Sequence, residues 1–470
     1  MLIIAIIFTI LFGFLFISRI SLQLSLCERI GFAFPIGLAG ITFLMLIYDW
    51  IGLSLTADTL MGATIGLTIF ATALLIPRHK EFIQSLYPQF KFKWFNLLWL
   101  ILILIVIYAE YANLSKCLYF PTYDRDSMAG FDTIGFLTAQ EHTYRNLSIF
   151  QGDYMPLIHR PASVISYMPM LQFSYAYVYA LGAETSKIIP GLFYLSFLVG
   201  FYGLVRRASN NTAASAALLG VIMTPEMTAF SSLSGTNVVQ AAMASTGLMY
   251  VCLWIKNRKK PLLVLGSLLI AVNCWLRSEG IVFAAAAGLS VLVACLLDVF
   301  KRKEQLTSSS AIRIFLPLIA LVLAVLPIFI FNIYTHSFGL TSGNAIIAYP
   351  YWDAEKAHTI WDGAWALLTN TGYYAWTFAA FLLAVIANAY FMFKCRDSIY
   401  VLSTILVSIF FYFLVLYHVD YVWDSIQNVL NYSAKRFMFC FVPMTWYYVC
   451  TCKAGRQLFE KVESVCGFSK

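Results

Sequence analysis

Leu97-Leu-Trp-Leu-Ile-Leu-Ile-Leu-Ile-Val-Ile107 is apolar at every position, and the reading of this run decides the fold. A transmembrane barrel would alternate apolar and polar residues with a period of two, so the run excludes one. Apolar stretches of about twenty residues recur along the chain, each long enough to cross roughly 30 Å of hydrocarbon. Only helices or closed barrels satisfy their backbones in lipid, so the expectation is an all-α, polytopic integral membrane protein. Composition agrees. Of the 470 residues, 61% are hydrophobic and 11% charged, where a soluble globule carries about a quarter charged residues. The first run, Leu2–Ile17, lacks a preceding basic region and a small-residue cleavage site, and reads as a retained span rather than a signal peptide.

One polar interruption, 114–162, breaks this pattern. It contains Tyr123-Asp-Arg-Asp-Ser-Met-Ala-Gly-Phe-Asp132, with carboxylates at Asp124, Asp126 and Asp132, and it closes on His159-Arg160-Pro161. The net charge of +8 sits in short clusters between spans. That distribution is the positive-inside pattern and gives no nucleic-acid surface. The ten cysteines show no metal-ligand spacing and read as small buried hydrophobes.

Placing the basic clusters in the cytoplasm fixes a topology. These are Arg78-His79-Lys80 with Lys91 and Lys93, Arg206-Arg207, Lys256–Lys260, Lys301-Arg302-Lys303, Lys394 with Arg396, and the tail from Lys453. Spans near 2–18, 31–50, 58–76 and 95–113 then deliver the loop 114–162 to the outer face. From Arg207 the expected spans are 212–229, 236–255, 262–276, 281–299, 312–333, 371–393, 398–417 and 437–452. Two apolar stretches, 163–182 and 188–205, lie between the outer loop and Arg206-Arg207, and two full crossings would put the arginines outside. The first, rich in Tyr and Met, is therefore expected to lie along the outer interface, where amphipathic aromatics are favoured, or to insert only in part. The whole reads as one membrane domain: extra N-terminal spans in 1–93, a core over 94–452 and a tail over 453–470. Asn146-Leu-Ser and Asn431-Tyr-Ser are glycosylation sequons on the outer face, which as three-residue matches are weak.

Several outer-face residues are candidates for chemistry. Asp126 or Ser127 is placed to cap a helix through Met128–Glu141. Capping accounts for one acid and leaves Asp126 and Asp124 as candidate general bases beside a low-dielectric interface. Asp-x-Asp has the form of a metal pair, but two acids alone do not indicate a metal, and none is assigned. Arg160 with His159, and the short turn Arg277-Ser-Glu279-Gly280, put cations on a face where the charge rule disfavours them. Headgroup anchoring is the default reading of Arg160 taken alone, and an internally neutralised hairpin accounts equally for Arg277 with Glu279. Lys435-Arg436 precedes the last span, and binding the phosphate of a lipid carrier would explain the pair. Interface snorkelling is the alternative. The segment 336–370, with Tyr349, Trp352, Asp353, Glu355, His358, Trp361 and Asp362, suits sugar stacking or an interfacial belt. His418, Asp420 and Asp424 have the same double reading.

With these residues in place, the chain resembles the membrane-embedded GT-C glycosyltransferases, from about Leu97 to Tyr448. The likeness rests on Asp126 with Phe131 after a span, preceded by Asp124, and on His159-Arg160-Pro161 at the loop's end. It continues with Gly182-Ala-Glu184 through Arg206-Arg207, Arg277–Gly280, and Arg436 ahead of Pro443. Ser127 departs from the second acid frequent in that family, about three spans precede the usual first one, and no large C-terminal outer domain follows. The resemblance implies a GT-C-like helix bundle with outer-face juxtamembrane helices. It implies inverting transfer of a sugar from a polyprenyl-phosphate donor to a lipid, glycan or protein acceptor. Asp126, assisted by Asp124, would act as base, and His159, Arg160, Arg277, Glu279, Lys435 and Arg436 would bind substrate. The expected location is a bacterial inner membrane, with the site facing the periplasm. A glycan polymerase or ligase, and a lipid-linked glycan transporter or flippase, are the rival expectations.

Overall fold

Helices account for nearly all the structure because almost no stretch offers the alternation a strand needs. The computed structural model describes residues 1–87, 97–124, 126–150, 167–302, 308–339, 346–396, 398–421 and 424–466. Among these, ten helical segments are long and apolar enough to cross a bilayer. They are Leu2–Ile20, Leu26–Trp50, Ala57–Leu86, Leu97–Tyr119, Ile188–Ala208, Asn237–Asn257, Gly280–Phe300, Phe315–His336, Thr377–Lys394 and Ile399–Tyr417. The chain is a multi-pass integral membrane protein, and its described residues are all-α apart from one antiparallel ribbon pairing Ile346–Ala348 with Val419–Tyr421.

Three expected spans take a different form. The stretch 212–229 divides into Asn211–Ile222 and Pro225–Phe230, because Pro225 cannot continue the first helix. The helix Lys260–Leu276 has 17 residues, about 26 Å, and packs along Asn237–Asn257. The last span is the end of a longer helical run. Ile426–Val429, a π-helical turn Leu430–Ala434, Lys435–Phe437, a tight turn Met438–Cys440 and Phe441–Thr451 follow one another without a break.

Polar contacts at the helix ends sort them into two faces. At one, Arg207 closes Ile188–Ala208 and bonds Glu28 from Leu26–Gly31 at 2.6 and 2.7 Å. Tyr250 donates to the same carboxylate at 2.8 Å, and nearby Arg258 pairs with Asp298 at 2.5 Å. At the other, Asp49 closes Ala33–Trp50. It accepts from the backbone of Tyr144 and Arg145, from Thr143, and from Tyr334 at the end of Leu326–His336. Asp49 thereby pins the segment that follows the Asp132–Glu141 helix, so the N-terminal spans position the acidic loop.

Those spans share the main hydrophobic core with the rest of the bundle. Gly31 makes a close approach: a Cβ there would sit 2.1 Å from the Gly200 backbone nitrogen, so the Leu26–Gly31 and Ile188–Ala208 helices meet backbone to backbone. Cys27 is half-buried, and Cys117, Cys252, Cys274, Cys295, Cys440, Cys450 and Cys452 are buried free thiols.

The stretch 163–182 does not cross the membrane, and of the two forms expected of it, interfacial or partly inserted, it takes the second. Its described part forms Met170–Ala180, 11 residues or roughly 16 Å, about half the hydrocarbon thickness. Every side chain from Met170 to Val178 is buried, beneath the Asp132–Glu141 helix and against Ala33–Trp50. Tyr177 reaches inward to Thr9 and Thr64. Tyr167 before the helix and Tyr179 near its end both contact residues of the acidic face, so the chain enters and leaves on one side. The aromatics fill a protein interior rather than a lipid interface.

This arrangement sets an expected labelling pattern. Lys260 and Trp352, both exposed, lie beyond opposite ends of the bundle. Single cysteines introduced at the two positions should react with a membrane-impermeant thiol reagent from opposite sides of sealed vesicles. Labelling from one side would break the topology.

Candidate functional site

Asp126 and Arg436 are 310 residues apart and form an ion pair, with Arg436 Nη1 donating to Asp126 Oδ2 at 2.7 Å. A π-helical turn accompanies each partner: Ser127–Phe131 directly after Asp126, and Leu430–Ala434 directly before Lys435 and Arg436. Such turns occur mostly as single insertions within α-helices and are frequent at functional sites. Arg436 Nε also donates to the Tyr432 carbonyl within its own helical run.

Asp124 has the capping role expected of Asp126 or Ser127. Its Oδ2 accepts from the Ser127 backbone at 3.2 Å and from the Ser127 hydroxyl at 2.9 Å. The capped element is the π turn, and the regular helix begins only at Asp132. Asp126 is thus released from capping and left to Arg436. Asp132 accepts from Tyr179 at 2.8 Å.

Arg277 is neutralised within its own turn. Nε and Nη2 donate to the two Glu279 oxygens at 3.2 and 2.7 Å, while Nη1 donates to Thr236 and Asn237. Gly280 permits the turn, because a Cβ there would meet the Cys274 backbone at 2.8 Å. Burial on its own would raise the Glu279 carboxyl, but the adjacent guanidinium outweighs it and holds the pKa below its ordinary value. Burial likewise opposes the charge on Arg277, and Glu279 more than offsets that, leaving the guanidinium raised.

Tyr167 joins the two pairs. The Arg277 guanidinium carbon lies 5.1 Å from the centre of its ring, and its hydroxyl feels Arg277, Glu279, Asp126 and Arg436 together. Burial keeps the phenol above its ordinary pKa despite Arg277. Lys435 forms a third pair, with Glu226 at 3.1 Å, and lies 4.5 Å from the Tyr373 ring centre. Three cations (Arg277, Lys435, Arg436) thus meet three carboxylates (Glu279, Glu226, Asp126), and the pairs balance in charge. Behind them, buried Lys187 donates to the Phe120 carbonyl at 2.7 Å and to those of Lys116 and Pro121 at 3.4 Å. It holds the chain leaving Leu97–Tyr119 on course for Asp124, and burial lowers its pKa.

Asp124, Asp126, Arg277, Glu279, Lys435 and Arg436 all belong to the acidic face, and His159 and Arg160 lie outside the described residues. Sequence reasoning missed Glu226, Tyr167 and Lys187. Glu226 had a signal: a proline and an acid inside an expected span mark a break rather than a crossing.

The segment from 346 onward forms a neighbouring unit. Asp353 caps the Ala354–Thr369 helix, and buried Lys356 bonds Asp420 at 2.7 Å, 4.3 Å from the Tyr349 ring centre. A cavity of about 420 Å³ opens there, lined by Asp353, Glu355, Thr359, Asp420 and Asp424 among others. His358 pairs with Asp362 at 2.8 Å, both exposed, and Trp352, Trp361 and Trp365 are also exposed. Among the described residues, no three His, Cys, Asp or Glu side chains gather closely enough to hold a metal ion.

No family model, no curated protein and no solved structure matches the chain.

Proposed function

We propose that the chain is a GT-C-type glycosyltransferase. It moves a sugar from a polyprenyl-phosphate donor to an acceptor hydroxyl on a lipid, glycan or protein, at the periplasmic or lumenal face of a membrane such as the bacterial inner membrane. The observation that carries this reading is the Asp126–Arg436 pair beside Arg277. It sets a candidate base against a candidate phosphate ligand.

The resting pair is inexpensive to open. Asp126 is 42% exposed and Arg436 23%, and pairs so accessible are worth about 0–1 kcal/mol. A donor phosphodiester offers Arg436 a singly charged, bidentate partner in exchange, and a second charge develops on it as the sugar departs. Transfer of Arg436 to the phosphate frees Asp126. Asp126 then takes the acceptor's hydroxyl proton as the new glycosidic C–O bond forms. The bond from the anomeric carbon to phosphate breaks with inversion, and the polyprenyl phosphate leaves with its electron pair, stabilised by Arg436, Lys435 and Arg277. The test is turnover of a labelled polyprenyl-phosphate sugar in nanodiscs, with donor binding measured in parallel.

One observation favours the transporter reading. Glu110 lies inside Leu97–Tyr119, nine residues from its end and buried. Its Oε2 lies 3.5 Å from Asn113, and its Oε1 has no hydrogen-bond partner among the described residues. Ionisable groups at such depth are costly and mark ion or substrate paths. In an enzyme, Glu110→Gln should leave transfer within about threefold of wild type, since the amide keeps the bond to Asn113. Loss of lipid-linked glycan movement across proteoliposomes, with no transferase activity to lose, would support a transporter instead.

A further inference from the structure

The face opposite the candidate site contains a cavity that nothing above uses. The helices ending or beginning there (Ile188–Ala208, Asn237–Asn257, Ile399–Tyr417, Phe441–Thr451 and Lys453–Cys466) line an open cavity of about 180 Å³. Its lining includes Arg207, Lys256 and Arg456, with hydroxyls from Ser398, Tyr447 and Thr451, and among the described residues it includes no carboxylate. Arg207 is bonded to Glu28 through Nε and Nη2. The positive-inside rule accounts for basic residues at this face. It does not by itself bring three of them, from three different helices, to the lining of one cavity.

The volume holds about six waters at liquid density, enough for a phosphate group and part of what it is attached to. Low-dielectric walls strengthen the attraction of the cations for an anion entering between them, and basic pockets between membrane helices are suited to anionic headgroups. We propose that this cavity binds a phosphate-bearing anion from the membrane's basic-cluster side. The ligand is either an anionic phospholipid headgroup or a soluble phosphate. The inference is independent of the glycosyltransferase reading.

Two arms separate the sources. In the first, purified protein is exchanged into mixed micelles of phosphatidylglycerol or of phosphatidylcholine, and retained lipid is counted by native mass spectrometry. In the second, binding of labelled inorganic phosphate is measured by equilibrium dialysis. The expected result is preferential retention of phosphatidylglycerol, or saturable phosphate binding if the ligand is soluble. Lys256→Gln with Arg456→Gln should weaken it roughly thirtyfold, from about 1 kcal/mol per cation, while Lys256→Arg should retain it. Ser398→Phe fills the space without altering charge and should abolish binding, so the test survives if the double variant fails to fold. Equal retention of both lipids without phosphate binding would overturn the proposal, as would unchanged binding in both the double variant and Ser398→Phe.

Discussion

In Asp126→Asn protein, sugar transfer is expected to fall roughly 10²–10⁴-fold, the usual worth of a positioned general base, while the protein remains folded and inserted. Asparagine keeps the carboxylate's shape and can still accept from Arg436, and the charge lost from so exposed a pair is worth about 0–1 kcal/mol. Donor binding should persist or tighten, because Arg436 no longer has to leave an anion to reach the phosphate. Arg436→Ala should show the opposite pattern, with weakened donor binding and an unpaired Asp126. Asp124→Asn is the control. Its amide oxygen can still accept from Ser127, as the carboxylate does now, so activity should stay near wild type. An inactive Asp124→Asn beside a competent Asp126→Asn would move the base to Asp124, and full activity in both would remove the proposed mechanism.

Glu28→Ala is expected to destabilise the protein by about 3–5 kcal/mol, the range for removing one partner of a buried pair. Glu28 is fully buried and holds together three elements: Arg207 through two bonds, the Tyr250 hydroxyl, and Ser25 in a capping box at its own helix start. Its loss leaves the Arg207 charge and the Tyr250 hydroxyl facing a void beside the Gly203 backbone. Denaturation followed by helical circular dichroism or by trapping of buried thiols should show the change. Arg207→Ala should be comparably damaging, and the double variant should be less damaging than the sum of the two. Strict additivity would mean that the pair is not coupled as its geometry requires.

The legible parts of this fold were those governed by local composition. Runs such as Leu97–Ile107 require helices in lipid at any tertiary arrangement, and the basic clusters mark span ends because charge cannot enter hydrocarbon cheaply. The stretch 163–182 shows where that reading stops. Tyr and Met suit a membrane interface and a protein interior equally, and only the Asp132–Glu141 helix lying over them decides between the two. The candidate site divides in the same way. Arg277 and Arg436 stood out as cations on a face that disfavours them, and Asp126 as an acid in the one polar interruption, yet the Asp126–Arg436 pairing spans 310 residues and leaves no local trace. Asp124 and Asp126 are both plausible caps by spacing, and the π turn that selects Asp124 depends on tertiary contacts. Tyr167 and Lys187 carried no signal, since a tyrosine in an aromatic-rich stretch and a lysine before a span have many ordinary explanations.

The central claim is that the acidic face handles a lipid-linked sugar phosphate, and release of polyprenyl phosphate tests it most directly. Purified wild-type protein in nanodiscs would be given a panel of polyprenyl-phosphate sugars and an acceptor-containing membrane extract, with product followed by mass spectrometry. The account predicts saturable release from at least one donor, coupled to appearance of the sugar on the acceptor with inverted configuration, and loss of that release in Asp126→Asn. If no donor in the panel binds or turns over, while proteoliposomes carry a lipid-linked glycan across the membrane and Glu110→Gln stops it, the chain is a transporter and the enzymatic account is wrong.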